Sequence, residues 1–225
     1  MKTRLALAAL AAGSLLTASH ANASFNLQIT EMWPGNEPGD NLTSDWFEVT
    51  NFGTAAWTAA TDGPLFFDDD SQDATAADPL NGIATIAPGE SVVFVDDTDL
   101  TEWNTVWASA PSGLQVGTYD GSGLGGGGDG VTLFLDANSN GAEASEIIDF
   151  EAYPDADSNG GQSFDVLLGA FSTDGNAASA FTTAIVNDVD QPAIGSPGTV
   201  IPEPASLGLL AVGGLLIAGR RRRNN

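Results

Sequence analysis

The sequence predicts an all-β domain folded as a β-sandwich over residues 24–199, followed by a single C-terminal hydrophobic helix. Three observations carry this. No helical periodicity of any length runs between Ser24 and Val200. Alternating or β-branched runs of strand length stand there instead, punctuated by Gly, Pro, Asn and Asp. About seven such runs with turn-rich connections make the pattern of a sandwich rather than of an α/β fold.

Phe25, Leu27 and Ile29 alternate as a first strand, and Trp46-Phe47-Glu48-Val49 gives a second. Leu65-Phe66-Phe67 is a short third. Pro88-Gly89 forms a turn that launches Ser91-Val92-Val93-Phe94-Val95, the clearest buried strand. Leu100 to Ala108 is the one helix candidate inside the domain, with Thr98 or Asp99 able to cap it. Val131-Thr132-Leu133-Phe134-Leu135 pairs across a loop with Ile147-Ile148-Asp149-Phe150, and a late strand runs near Gln162 to Leu168. Gly121 to Gly130 holds seven glycines. It lacks the Lys of a phosphate-binding loop and leads into a strand, so it reads as a flexible hairpin loop.

The two ends differ from the middle. Residues 1–23 have a positive start at Lys2 and Arg4, an apolar stretch from Leu5 to Leu16, and small residues Ala21 and Ala23 flanking Asn22 ahead of Ser24. That is the layout of a secretory signal peptide cleaved before Ser24; an anchor helix would need a longer apolar run. Residues 200–225 carry Ile201-Pro202-Glu203-Pro204, an apolar run from Ala205 to Gly219, then Arg220, Arg221, Arg222 and Arg223. As a helix the apolar run rises about 22 Å against a hydrocarbon core of about 30 Å, a gap that snorkelling Arg and local thinning can close. The Arg cluster favours the cytoplasmic side, leaving the domain outside.

Pro202-Glu203-Pro204, a short Gly- and Ala-rich helix and a terminal Arg cluster together resemble the PEP-CTERM sorting signal of Gram-negative bacteria. The resemblance implies recognition by an exosortase, cleavage near Pro202-Glu203-Pro204, and a setting in bacteria that make exopolysaccharide. Ile201 stands where the commonest form has Val. The middle of the chain resembles the lamin-tail domain, an immunoglobulin-like β-sandwich. Ile29-Thr30-Glu31 and Asp45-Trp46-Phe47-Glu48-Val49-Thr50-Asn51 are similar to that family's opening segments. Pro88-Gly89-Glu90 with Val92-Val93-Phe94 is similar to its Pro-Gly turn and central strand. Gly128-Asp129-Gly130-Val131-Thr132-Leu133, then Asp149 and Tyr153, are similar to its later strands, and Gly195-Ser196-Pro197-Gly198 to its close. Asp165 departs from the pattern, since the family often has Arg there. The likeness implies a scaffolding or binding role.

Charge narrows the chemistry. All six Lys and Arg lie at the two extremes, and every one of the thirty acids except Glu203 lies between residues 24 and 199. A field this negative repels nucleic acid and anionic headgroups. Without Lys, His or Cys in the domain, the usual proton shuttles, thiol nucleophiles, Schiff bases and zinc ligands are missing. The oxygen donors that remain suit calcium, or they serve only to keep the domain soluble or to suit it to salty surroundings. Two near-copies, Asp136-Ala137-Asn138-Ser139-Asn140-Gly141 and Asp155-Ala156-Asp157-Ser158-Asn159-Gly160, space oxygen ligands at alternate positions before a Gly. Asp136, Asn138, Asn140, Asp155, Asp157 and Asn159 are therefore candidate Ca²⁺ ligands, with Glu146 and Asp165 one residue early for the closing acid of an EF-hand. The same spacing also fits a pair of hairpin turns. Asp68-Asp69-Asp70-Ser71-Gln72-Asp73 reads as a solvated loop. Of the five Trp, Trp46 reads as core, and Trp33 and Trp57 are the candidates for stacking on sugar.

These readings give an exported protein, sorted by its tail to the cell envelope, surface or exterior and held transiently in the inner membrane. Its domain is expected to be non-catalytic, with exopolysaccharide or another envelope polymer as partner. The alternative is an exported polysaccharide hydrolase working through paired carboxylates.

Overall fold

The structure, a computed structural model, describes residues 24–34, 45–96, 100–175, 180–186 and 192–199. The first strands in chain order are β1 (Leu27–Trp33), β2 (Trp46–Asn51), β3 (Trp57–Thr58), β4 (Leu65–Asp68), β5 (Asp78–Pro79), β6 (Thr85–Ile86) and β7 (Ser91–Asp96). They are followed by β8 (Gln115–Tyr119), β9 (Asp129–Leu135), β10 (Ile147–Tyr153), β11 (Phe164–Asp165), β12 (Ala170–Phe171), β13 (Phe181–Val186) and β14 (Pro192–Gly195). Two short helices, α1 (Ala59–Asp62) and α2 (Leu100–Val106), interrupt them. The chain is thus mostly β, as its patterning predicts.

One sheet runs β12-β11-β1-β2-β7-β8 and a second runs β10-β9-β4-β5. They share a core. Phe47 of β2 stacks on Phe67 of β4 with centroids 5.0 Å apart, and Tyr119 of β8 meets Phe67 at 4.7 Å. Leu27, Ile29, Val49, Val92, Phe94, Leu65, Val131 and Leu133 fill the same cluster. The larger sheet is also covered on its other face. Trp33, Trp46, Val93 and Val95 point there and are sealed by Trp103, Val106 and Trp107 of the α2 region and by Ala193 of β14. Trp107 stands edge-on to Trp33, Trp46 and Phe181. This second core explains why β2 is buried at every residue: successive side chains enter opposite cores.

The neighbouring strands pair antiparallel except β7 and β8. Parallel neighbours need a crossover, and α2 lies on it. β9 and β10 do form the expected antiparallel pair. The late strand is shorter than expected, reduced to β11. The Gly-rich stretch is not a hairpin, because it links β8 in one sheet to β9 in the other. It is also pinned: Leu124 N–H donates to Asp45 and Gly125 N–H to Asp129, both at 2.6 Å, and Tyr153 O–H donates to the Gly125 carbonyl. The capping residues Thr98 and Asp99, the leader, the hydrophobic helix and the sorting residues lie outside the described residues. Among the described residues no helix is long and apolar enough to cross a membrane.

Candidate functional site

A β-bulge builds the most unusual cluster. Ile29 faces Val49 and Glu31 faces Glu48, so Thr30 is an extra residue in β1. Strict alternation would send Glu31 into the apolar core beside Ile29. The extra residue turns it to the other face, opposite Glu48, while Met32 takes the core position. Asp165 of β11 pairs with Glu31 from the opposite side. Three acids therefore share one face at 2 %, 1 % and 4 % exposure for Glu31, Glu48 and Asp165.

Hydroxyls and backbone amides surround them. The Ser163 hydroxyl donates to Glu31 Oε1, and Ser172 Oγ lies 3.0 Å from Ser163 Oγ. Thr30 O–H donates to Glu48 Oε1 at 2.5 Å, and Thr50 and Ser91 extend this hydroxyl chain at 3.0 and 2.7 Å. Asp165 Oδ1 accepts the Leu168 N–H at 2.7 Å. The remaining donors come from the end of the domain. Ser196 gives its N–H to Glu31 Oε1 at 2.7 Å and its hydroxyl to Oε2 at 2.9 Å, and Gly198 N–H reaches Glu48 Oε2 at 2.5 Å. Ser196-Pro197-Gly198-Thr199 is a turn closed by Thr199 N–H to the Ser196 carbonyl, with Gly198 at φ 79°, a backbone that Gly adopts without strain. Two carboxylates thus clamp the last residues of the domain.

No Lys, Arg or His stands in this part of the chain to neutralise the clamp. Burial pushes Glu31 up to about 7, against the pull of the Ser163 and Ser196 hydrogen bonds and with some help from Asp165. Burial, then the charge on Glu31, pushes Glu48 up to about 8. Both carboxyls hold their protons into the neutral range. Chemically the arrangement is a proton-holding fastener closed off from solvent.

The expected calcium loops differ from each other. Asp136 is buried, and its carboxylate accepts the N–H groups of Asn140 and Gly141 at 3.1 and 2.9 Å. The amides of Asn138 and Asn140 donate to Glu146 and Glu143, so this loop between β9 and β10 gathers several oxygens. In the second copy Asp155 accepts only the Asp157 N–H among its side-chain bonds, and Asp157–Asn159 is a single 3-10 turn. That turn leads from one sheet to the other, so it is no hairpin. The structure does not unite Asp136, Asn138 and Asn140 with Asp155, Asp157 and Asn159 into one cluster. Among the described residues no group of three or more acid side chains has the geometry to hold a metal. The run from Asp68 closes on itself, with Asp68 accepting from Ser71 and Asp73.

The sugar-stacking candidates are corrected. Trp33 and Trp57 are both 2 % exposed, and neither offers a ring face to solvent. Trp33 completes the aromatic cluster of the second core, and Trp57 donates to the Gly63 carbonyl. Ser24, the expected first residue after leader cleavage, is exposed and accepts backbone bonds from Thr54 and Ala55. Ala21, Ala23, Pro202, Glu203, Pro204 and Arg220 to Arg223 lie outside the described residues.

The clamp was legible only in fragments. Ile-Thr-Glu-Met-Trp and Trp-Phe-Glu-Val each place one acid inside an otherwise apolar strand. Such an acid must be hydrogen-bonded or protonated, and that was the available signal.

Residues 200–223 match the PEP-CTERM protein-sorting motif. No curated protein and no solved structure matches the chain. The motif marks an exported protein that an exosortase sorts to the cell surface.

Proposed function

We propose that this chain is an exosortase-sorted cell-surface or matrix protein whose acidic domain is a non-catalytic binding or structural module. The observation that carries the reading is where the paired carboxylates sit. Glu31 and Glu48 are covered on every side, and their oxygens are occupied by Ser163, Ser196, Thr30 and Gly198. A hydrolase needs its two carboxyls facing across a substrate and a water; here they face the protein's own backbone. This is what turns the balance from the hydrolase to the binder.

A lamin-tail-like, immunoglobulin-like sandwich is part of the same proposal. It is supported by the convergence of Glu31, Glu48, Ser196 and Gly198, from three of the segments similar to that family, on a single clamp. Calcium is proposed at the Asp136 loop alone, where Asn138, Asn140, Glu143 and Glu146 supply oxygens within one connection. An envelope polymer such as exopolysaccharide is the proposed partner, and the domain itself is proposed to lie outside the cell.

Mass spectrometry of the protein from its native host tests the core of this reading. The mature chain should begin at Ser24 and end near Pro202-Glu203-Pro204. Incubated with host exopolysaccharide, it should co-sediment without shortening the polymer. An intact chain from Met1 to Asn225, or polymer cleavage by purified protein, would sink it.

A further inference from the structure

Among the described residues four large hydrophobic side chains are exposed: Ile148 and Phe150 at 37 %, Leu167 at 43 % and Leu168 at 47 %. The first two belong to β10, the edge strand of the four-stranded sheet. The others lie in the turn between β11 and β12, closed by Leu168 N–H to Asp165 Oδ1 and Gly169 N–H to the Asp165 carbonyl. Both segments are fastened to consecutive residues of β1. The Ile29 N–H donates to Asp149 Oδ2 at 2.7 Å, and the Val166 N–H donates to the Thr30 carbonyl at 3.0 Å. Consecutive Cα atoms stand about 3.8 Å apart, so both segments meet the same flank of the domain.

On that flank β10 is turned inside out. A half-buried strand normally keeps apolar residues inward and charges outward. Here Ile148, Phe150 and Ala152 are exposed, while Asp149 and Glu151 between them are half-buried. Val166 to Phe171 adds six residues without a charge. The domain otherwise holds nearly all of the chain's acids and no cation, so an uncharged apolar flank is the exception on an anionic surface. We propose that this flank is a self-association surface, on which a second copy of the chain seats the same side chains about a two-fold axis.

The placement of charge selects this occupant. A cationic partner would be held best by acids pointing outward, and β10 turns its two inward. A polysaccharide needs hydrogen-bonding groups, and the side chains of Ile148, Phe150, Leu167 and Leu168 offer none. Two acidic copies repel wherever else they touch, and an uncharged contact is the one that both can share. The four side chains expose on the order of 300 Å², against about 800 Å² a side for a stable dimer. The contact is therefore weak between free molecules and gains occupancy where copies are crowded, as on the cell surface to which the tail sorts the chain.

The chain has no cysteine, so single engineered thiols report on this contact. Ala152→Cys lies on the exposed side of β10. Ser112→Cys, the control, is exposed just ahead of β8 at the opposite edge of the larger sheet. Each is expressed as the full-length chain in its native host, and a membrane-permeant bis-maleimide is applied to intact cells. Ala152→Cys should yield about tenfold more covalent dimer than Ser112→Cys, the excess reflecting the effective concentration of paired copies. Adding Phe150→Asp with Leu168→Asp should bring it down to the Ser112→Cys level. Leu167→Asp with Leu168→Asp, confined to the turn, should do the same without touching a strand. Equal yields at the two positions, or a yield indifferent to both Asp pairs, overturns the proposal. Linkage of the Ala152→Cys chain to a different protein in place of itself overturns it too. The yield is read in whichever cell fraction holds the chain, processed or not, so failure here is distinct from failure of the sorting reading.

Discussion

Glu31 reaches the clamp because Thr30 is inserted in front of it, and its titration follows from that placement. Folded Glu31 and Glu48 bind protons up to about 7 and about 8, whereas the ordinary value for each is 4.5. The folded state therefore holds protons that the unfolded chain has released. Their stabilising contribution is complete below pH 4.5 and is lost as pH rises through these higher values. Each unit of such a difference is worth about 1.4 kcal/mol per proton. Urea unfolding midpoints should accordingly fall between about pH 5 and pH 8.5, by an amount worth a few kcal/mol. In the double variant Glu31→Gln, Glu48→Gln most of the fall should disappear, since the amides can keep hydrogen bonds to Ser196 and Thr30 but do not titrate. Parallel pH profiles for the two proteins would refute the assignment. Asp165 aggravates the cost: where an Arg would neutralise the pair, the chain has a third acid on the same face.

Among the elements, β8 shows how close packing constrains an edge strand. A Cβ on Gly117 would lie 2.4 Å from the Asn81 carbonyl oxygen and 2.8 Å from the Phe94 ring, and Asn81 is bridged by two backbone hydrogen bonds to Thr118. Gly117→Ala should destabilise the fold by about 1–3 kcal/mol and speed amide exchange at Asn81 and Thr118. An unchanged melting temperature with unchanged exchange would show that the strand yields freely. The same strand was hidden from sequence reasoning. Gln-Val-Gly-Thr-Tyr has neither a clean alternation nor an apolar run, and its parallel partner is reached only through α2. By contrast β2, β4, β7 and β9 announce themselves through aromatic and β-branched runs, because packing against a shared core demands them, whereas β10 is legible through Ile148 and Phe150 although both are exposed and only its Tyr153 enters that core. β13 and β14 escaped for another reason: their value lies in covering Trp33, Trp46 and Trp107, a second core that no local pattern reveals. The clamp stayed hidden likewise, since it joins residues from β1, β2, β11 and the domain's end, and only the bulge brings Glu31 into it.

At the scale of the whole molecule, the domain folds without a single internal cation. Its acids repel one another with no ion pairs to be weakened in exchange. Raising monovalent salt from about 0.05 to 1 M shortens the screening length from more than 10 Å to about 3 Å. The melting temperature should therefore rise with salt, where ion-paired domains commonly lose a contribution. Calcium at matched ionic strength should raise it further, and Asp136→Asn should remove that extra increment alone. Equal melting in sodium and calcium would count against the loop as a site, and a fall with sodium would count against uncompensated repulsion.

The clamp also sets an order of events. Glu31 waits for Ser196, 165 residues later, and Glu48 for Gly198, 150 residues later. Contacts so distant in sequence carry a large loop-closure cost and need nearly all of the chain to be available. A polypeptide threading through a secretion channel cannot close this fastener while its final strand is still on the near side. The clamp therefore closes only once the turn at Ser196 to Gly198 has emerged.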